Sequence, residues 1–259
     1  MMAEKNMNDI LLEINDANIN FGSFKAIKNV STKIKKNEVR FFIGPNGAGK
    51  TTLLDAICGK NKLSQGKILY YGNNETAELS KIKEHKIVEL GVGRKFQAPS
   101  VFNGITIKEN MELAVAKNHG VLSSIFEKLS KEQYERIGDS LELVNLYGMR
   151  DEYPTKLSHG QKQWLEISML LVSQPKLMLL DEPVAGMGRR ETEKTAELLR
   201  IIQKDCTVIV VEHDMKFAED CSTSVTVLHE GRILCEGTMN DVQKNQEVID
   251  VYLGRGGEI

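Results

Sequence analysis

The chain has 259 residues, a formal net charge of −2 and four scattered cysteines. Its length allows one large domain or two small ones with a substantial core, and its charge provides no global field for nucleic acid or acidic membrane. No apolar window reaches the length that spans a bilayer, and the polar first residues do not form a secretion signal. Without C-x-x-C spacing, the cysteines indicate reduced thiols in a cytosolic protein. The near-neutral net charge leads us to expect no nucleic-acid partner.

Two half-buried strands of antiparallel type begin the chain. Apolar and polar residues alternate over residues 12–21 and again from Val30 to Ile34. Phe21 precedes Gly22 in the turn between these two strands. An aromatic side chain at that turn could stack on a nucleotide base or pack in the core, and the spacing alone does not choose between them.

A phosphate-binding loop follows the next strand, which the apolar run from Val39 to Ile43 predicts to be buried. The residues of the loop and of the helix start are Gly44, Pro45, Asn46, Gly47, Ala48, Gly49, Lys50, Thr51 and Thr52. They fit G-x-x-x-x-G-K-[ST], in which glycines let backbone N–H groups surround phosphate oxygens at a helix N-terminus. Lys50 would bridge the β- and γ-phosphates and Thr51 would bind Mg²⁺. The pattern predicts a nucleoside triphosphate site.

Turn and cap signals follow the first helix. Ser64-Gln65-Gly66 predicts a hairpin turn that leads into a strand over residues 67–71. Ser80 is expected to cap a helix that Gly91 ends.

The next section changes from strand to helix. Val92–Phe96 predicts a strand edge that leads to Gln97, and Pro99 requires an irregular loop just beyond. Two capping boxes, Thr106-x-x-Glu109 and Ser130-x-x-Gln133, then indicate helices. No strand pattern interrupts this region up to about residue 153, so we expect a helical insertion in a sheet-based domain.

A further helix start with capping residues follows at residues 157–161, LSHGQ. Ser158 stands where an N-cap belongs, Gln161 follows three residues later, and Gly160 leaves the backbone uncovered. Such a helix N-terminus can bind an anion. A well-capped helix without any ligand explains the same residues, and both interpretations stay open on this pattern alone.

Polar side chains end two buried strands further along the chain. Leu177–Leu180 predicts a parallel strand that ends in Asp181 and Glu182, and residues 208–211 predict another that ends before His213. Ligands bind at such carboxyl ends in α/β sheets. Asp181 would therefore organise Mg²⁺, Glu182 would polarise the attacking water, and His213 would contact the γ-phosphate.

These pieces in this order resemble the ATP-binding subunits of ABC transporters, and the resemblance covers almost the whole chain. Residues 44–51 look like the Walker A motif, residues 157–161 like the signature loop and residues 177–182 like Walker B. Phe21 looks like the base-stacking aromatic residue of the family, and Gln97 like the Q-loop glutamine that reaches Mg²⁺. His213 looks like the switch histidine.

The resemblance implies a P-loop NTPase fold of class α/β, with a RecA-like core, an antiparallel β subdomain and a helical subdomain. The expected ABC ATPase domain covers residues 10–255, with the helical subdomain over about 97–161 and flexible ends at 1–9 and 256–259. ATP and Mg²⁺ are the implied cofactors. Two subunits would meet head to tail, so that Ser158, His159, Gly160 and Gln161 of one subunit close on the ATP of the other.

Several stretches are similar to importers for branched-chain amino acids and urea, and the spellings LSHGQKQWLE and EPVAGM are closest to the urea importers. Two positions depart from the family pattern. His159 replaces the middle glycine of LSGGQ, and Gly188 stands where the loop after Walker B usually has aspartate. Gly188 puts the usual contact between subunits in doubt, so a second, different ABC ATPase is the expected partner, with a homodimer as the alternative.

The implied function is that of an ATP-hydrolysing motor subunit of an ABC importer, with urea as the expected solute. The alternatives are a branched-chain amino acid importer, a soluble ABC ATPase that acts as a scaffold, and a nucleotide sensor without turnover. The intact Glu182 and His213 argue against the sensor. The partners would be membrane permease subunits and, indirectly, a solute-binding protein, at the inner face of the cell membrane.

Overall fold

The computed structural model describes residues 9–72, 76–95, 101–115 and 129–253 of the chain. The strands are β1 (Ile10–Phe21), β2 (Phe24–Lys35), β3 (Val39–Ile43), β4 (Gln65–Tyr70), β5 (Ala77–Glu78), β6 (Val92–Lys95), β7 (Leu177–Asp181), β8 (Thr207–Val211), β9 (Ser224–His229) and β10 (Arg232–Gly237). The α-helices are α1 (Lys50–Ile57), α2 (Glu84–Glu89), α3 (Ile107–Val115), α4 (Lys131–Leu143), α5 (His159–Leu171), α6 (Arg189–Ile202), α7 (Met215–Cys221), α8 (Met239–Gln243) and α9 (Gln246–Leu253). No described helix is long and apolar enough to cross a membrane.

The larger sheet has six strands in the order β10-β9-β3-β8-β7-β6. All neighbours are parallel except β9 and β10, which form an antiparallel hairpin. Every residue of β3 is buried, and its side chains alternate between two cores: Phe41 contributes to the core beneath the later helices, and Phe42 to the core beneath the other sheet. The predicted buried strands are therefore confirmed, because residues buried on both faces give continuous apolar runs.

The smaller sheet is antiparallel, in the order β2-β1-β4-β5. The alternation that predicted β1 and β2 is confirmed, but the hairpin turn predicted at residues 64–66 is wrong. This segment follows α1, and β4 pairs with β1 rather than with the element that precedes it. A Cβ added to Gly66 would lie 2.3 Å from the carbonyl oxygen of Asp16. Position 66 is therefore glycine because its backbone approaches β1 closely, and not because it lies in a hairpin turn.

The predicted capping boxes lie at the starts of two helices between β6 and β7. The Thr106 hydroxyl accepts a hydrogen bond from the backbone N–H of Glu109, whose carboxylate accepts one from the backbone N–H of Thr106. Ser130 and Gln133 cap α4 in the same reciprocal way. Where the structure describes residues between these two strands, it contains helices, turns and irregular segments but no strand. The helical character predicted for this region is confirmed for those residues.

Two helix boundaries differ from the prediction. Ser80 does not cap an α-helix, because it lies in a 3-10 turn that the extended backbone at Ile82 separates from α2. Its hydroxyl donates a hydrogen bond to the Glu78 carboxylate instead. Gly91 follows α2 with φ +92°, as expected for a helix end. The apolar residues Val242, Val248 and Val251 predict one short C-terminal helix, but the structure has two helices there, α8 and α9, separated by the segment that contains Asn245.

Candidate nucleotide site

The phosphate loop lies between β3 and α1, and its glycines allow a backbone that other residues would strain. Gly44 has φ +149°, and a Cβ added there would lie 2.1 Å from the carbonyl oxygen of Leu228. Gly47 has φ +80° and faces open space. The first backbone N–H groups of α1 have no acceptor within the helix, so they and the helix dipole favour an anion at this loop.

Lys50 is the buried cation of this loop. Its ammonium donates to the carbonyl oxygens of Gly44 at 2.8 Å and Pro45 at 3.1 Å. Burial lowers the pKa of Lys50, while the nearby carboxylates act in the opposite direction, with Glu182 the strongest of them. An anion in the loop would therefore find a partly desolvated cation beside it, where Coulomb attraction is stronger than in water.

Asp181 brings the end of β7 to the start of α1. Its Oδ1 accepts a hydrogen bond from the Thr51 hydroxyl at 3.3 Å, and its Oδ2 lies 3.6 Å from the Arg94 guanidinium. The Asp181 side chain is about 1% exposed, and burial raises the pKa of its carboxyl against the lowering effect of Arg94.

These oxygen groups fit Mg²⁺, which is usually bound by one or two protein oxygens together with substrate phosphates. Thr51 supplies a hydroxyl and Asp181 a carboxylate at the edge of the phosphate loop. Within the described part of the chain, no group of three or more histidine, cysteine or acidic side chains could hold a metal.

Glu182 and His213 meet at the same edge of the sheet. Oε1 of Glu182 lies 3.9 Å from Nδ1 of His213, which is too long for a direct hydrogen bond. Glu182 has φ +48°, a strained value for a residue with a side chain. The buried Glu212 accepts hydrogen bonds from the backbone N–H groups of Val184 and His213, and so ties together the loops that carry the two residues.

Phe21 lies at the tip of the β1–β2 hairpin, where it pairs with Phe24. Both side chains are more than half exposed, at 52% and 65%. The alternative in which Phe21 packs in the core is therefore excluded, and an exposed ring is available for stacking. Gln97 and Pro99 lie outside the described residues. Phe102 follows them and is also exposed.

The predicted signature residues lie at the start of α5 and contact the start of α6. Ser158 is the N-cap of α5, and it shares a capping box with Gln161. Nε2 of His159 lies 2.9 Å from the carbonyl oxygen of Ala185, in the loop after β7. The Ser158 hydroxyl donates to Glu191 at 3.3 Å.

Sequence reasoning missed two charged residues next to these sites. Arg94 lies in β6, is about 5% exposed, and forms ion pairs with Asp55 and Asp181. A basic residue within a buried parallel strand is the signal that could have identified it. Glu191 contacts Ser158 across two helices, and no local pattern indicates that contact.

The chain is similar in sequence to known proteins. The profile of the ABC transporter family matches residues 27–185, and that of the branched-chain amino acid ATP-binding cassette transporter matches residues 232–258. The high-affinity branched-chain amino acid transport ATP-binding protein LivG of Escherichia coli is 32% identical over 259 residues, covering 96% of this chain and 99% of LivG. BraF of Pseudomonas aeruginosa, which carries the same description, is also 32% identical and covers 94% of this chain and 98% of BraF.

Solved structures show the same fold. An ABC transporter ATP-binding cassette in its ADP conformation superposes with a TM-score of 0.83 at 27% identity, covering 95% of this chain and 99% of that one. CbiO1 of Clostridium perfringens, part of an ABC transporter complex, gives a TM-score of 0.78 at 28% identity, covering 96% and 98%.

The protein thus belongs to the ABC transporter family, and its fold is that of the α/β ABC ATPase cassette with a P-loop NTPase core. Within that family it falls in the LivG-like group of ATP-binding subunits. It is an ABC-type ATPase, and the fold class and enzyme class expected from the sequence are confirmed.

Proposed function

We propose that the chain is the motor subunit of an importer for branched-chain amino acids, and that it binds and hydrolyses ATP at the edge of its parallel sheet. The observation that carries the assignment of the site is the meeting of Lys50, Thr51, Asp181 and Glu182 at this edge. Thr51 and Asp181 are joined by a hydrogen bond. Glu182 follows Asp181 directly. Burial lowers the pKa of Lys50, and the negative charge of Glu182 acts to raise it.

Each of these residues has a separate task in hydrolysis. Lys50 stabilises the negative charge of the terminal phosphates, and Glu182 accepts a proton from the attacking water. His213 hydrogen-bonds the terminal phosphate or the water beside Glu182. Thr51 and Asp181, with Gln97, would hold Mg²⁺, which supplies positive charge to the phosphates when it is bound. Phe21 stacks on the base, and the phosphate loop from Gly44 to Thr52 supplies N–H donors.

The similar proteins do not support urea as the transported solute. LivG and BraF are described by name as branched-chain amino acid transport proteins. The profile that matches residues 232–258 has the same description. We therefore prefer branched-chain amino acids, the alternative in the sequence analysis. Urea remains the second candidate because of the spellings LSHGQKQWLE and EPVAGM.

The partners follow from the family. The chain would work at the inner face of the cell membrane, attached to permease subunits that receive their solute from a solute-binding protein. Residues 158–161 would close on ATP held by a second ABC subunit. Dimeric ABC cassettes are known among the structural relatives. Gly188 in place of the usual aspartate favours a different ABC subunit as the partner, with a second copy of this chain as the alternative.

The loop around Phe102 is proposed to contact the permease. Phe102 is 58% exposed, whereas Val101 packs against the core, so of these two side chains it is Phe102 that is available to a partner. An arrangement in which both side chains pack beneath the helical region does not fit the exposure of Phe102. Phe102→Ala is expected to lower transport per ATP hydrolysed while it leaves the melting temperature unchanged.

Uptake measurements test the solute, and nucleotide binding tests the site. Deleting the gene should abolish high-affinity uptake of labelled leucine and leave urea uptake intact, and Lys50→Ala should fail to restore uptake. Lys50→Ala should also weaken ATP binding about tenfold or more, since a charge-assisted hydrogen bond contributes roughly 1.5–3 kcal/mol. Loss of urea uptake alone would overturn the solute assignment, and unchanged ATP affinity would overturn the site.

A further inference from the structure

The carboxylate of Glu191 lies against the start of α5, although Glu191 belongs to α6. Its Oε1 accepts a hydrogen bond from the Ser158 hydroxyl at 3.3 Å, and its Oε2 accepts one from the backbone N–H of Gly188 at 3.1 Å. The same side chain therefore caps its own helix and holds the N-cap residue of another.

Gly160 makes this approach possible. A Cβ added to Gly160 would lie 2.4 Å from Oε1 of Glu191 and 2.5 Å from its carboxyl carbon. Real Cβ atoms do not approach other atoms so closely, so any side chain at position 160 would push the carboxylate away. The missing side chain of Gly160 thus has a reason within this subunit, in addition to any contact with another one.

A negative charge at this place is stabilised by α5. The helix has 13 residues, and its N-terminal end attracts anions through its dipole and its free N–H groups. A second anion at the same end would be repelled by the Glu191 carboxylate. It would also compete for Ser158, whose hydroxyl has one proton and can donate to one acceptor at a time.

A second contact joins the start of α5 to the loop that precedes α6. His159 bonds to the carbonyl oxygen of Ala185, and a Cβ added to Gly186 would lie 3.3 Å from the His159 ring. We call Ser158, His159, Ala185 and Glu191 the signature clamp. The clamp fixes the start of α5 to the loop that follows Glu182, within one subunit.

We infer that Glu191 is a positioning residue that holds Ser158 in the free subunit and gives way to the terminal phosphate of ATP bound to a second ABC subunit. This inference rests on the proposed function, in which residues 158–161 receive that phosphate. Before association, Glu191 keeps the Ser158 hydroxyl in place. During association the carboxylate must give way to the phosphate, so its negative charge opposes the closure that ATP drives.

The test compares three double variants in a Glu182→Gln background, in which hydrolysis is slow. Glu191→Gln keeps an acceptor for Gly188 but removes the charge, and Ser158→Ala removes the donor. Glu193→Gln is the matched control, since Glu193 is an exposed residue of the same helix and pairs with Arg189. Sedimentation velocity over a range of protein concentrations, with and without Mg-ATP, gives the concentration at which half of the chain is associated.

The expected effects have opposite signs. Glu191→Gln should lower the half-association concentration with ATP about tenfold, and Ser158→Ala should raise it, while Glu193→Gln changes nothing. A role in folding alone would not produce these opposite effects, and melting temperatures within a degree or two of one another would exclude it. The inference is overturned if Glu191→Gln leaves association unchanged, weakens it, or permits it without ATP, or if no variant associates.

Calorimetric titration of the Glu182→Gln chain with ATP separates this inference from the proposed function. If ATP binds and association does not respond to position 191, only the role of Glu191 is wrong. If ATP does not bind, the proposed function fails, and the inference fails with it.

Discussion

Lys95 and Glu166 form an ion pair inside the protein, with 3.2 Å between the ammonium nitrogen and a carboxylate oxygen. The two side chains are only about 1% and 3% exposed. Lys95 is the last residue of β6, just before the segment that contains Gln97, and Glu166 lies in the middle of α5. The pair therefore joins the strand before the predicted Q-loop to the helix that carries the signature residues.

Breaking this pair on one side should be costly. Lys95→Met removes this ammonium from beside the buried Glu166 carboxylate, and removal of one partner of a buried pair typically costs about 3–5 kcal/mol. Urea denaturation of the single variants and of Lys95→Met/Glu166→Met measures the coupling, and the double variant should lose much less than the sum. Lys86→Met is the control, because it breaks an exposed pair with Glu89. Additive losses would contradict a specific pair.

Glu182→Gln should separate ATP binding from ATP hydrolysis. The amide keeps the shape of the side chain but cannot accept a proton, so turnover should fall by about 10²-fold or more. ATP affinity should stay near that of the wild type, because the phosphate loop and Lys50 are unchanged. Phosphate release and calorimetric titration measure the two quantities, with Glu193→Gln as a control. Turnover within about twofold of wild type would rule out this role, since base catalysis contributes far more.

The phosphate loop and the buried strands could be predicted because their signals are local. A strand buried on both faces is an apolar run, as in β3 and β7, and the fixed spacing from Gly44 to Thr51 carries the chemistry of the loop. Capping boxes are equally local, and those that begin α3, α4 and α5 are confirmed.

The errors and omissions concern contacts between distant parts of the chain. Residues 64–66 have the composition of a turn, but β1 determines how this segment is paired. The ion pairs of Arg94 with Asp55 and Asp181 are visible only in the folded structure, which brings the three residues together. Glu191 likewise meets Ser158 only through the packing of α6 beside α5. Such contacts depend on tertiary structure, which a single sequence does not encode in its local spacing.

Phe21→Ala should weaken binding of ATP but not of its phosphates alone. Stacking of a base on an aromatic ring contributes about 1–3 kcal/mol, so ATP affinity should fall between about fivefold and 150-fold. Binding of inorganic tripolyphosphate should not change, because it has no base to stack. Phe24→Ala is the matched control, since Phe24 is the exposed partner of Phe21 across the same hairpin. An equal loss of ATP affinity in both variants would show that neither ring has a specific role.

Gly44 and Gly47 provide a paired test of the phosphate loop. In Gly44→Ala the new Cβ meets the carbonyl oxygen of Leu228 at 2.1 Å, and such overpacking costs about 1–3 kcal/mol before backbone strain at φ +149° is added. In Gly47→Ala the Cβ faces open space, so only the strain of a left-handed backbone remains, about 1–2 kcal/mol.

Gly44→Ala should therefore unfold at a lower urea concentration than Gly47→Ala. Gly47→Ala should mainly reduce ATP affinity, because its methyl group would occupy space at the loop where the phosphates are expected. Urea denaturation and calorimetric titration of both variants give the two rankings. If Gly47→Ala proves the less stable of the two, the clash between position 44 and Leu228 does not limit stability, and the crowded path of the loop beside β9 would have to be reconsidered.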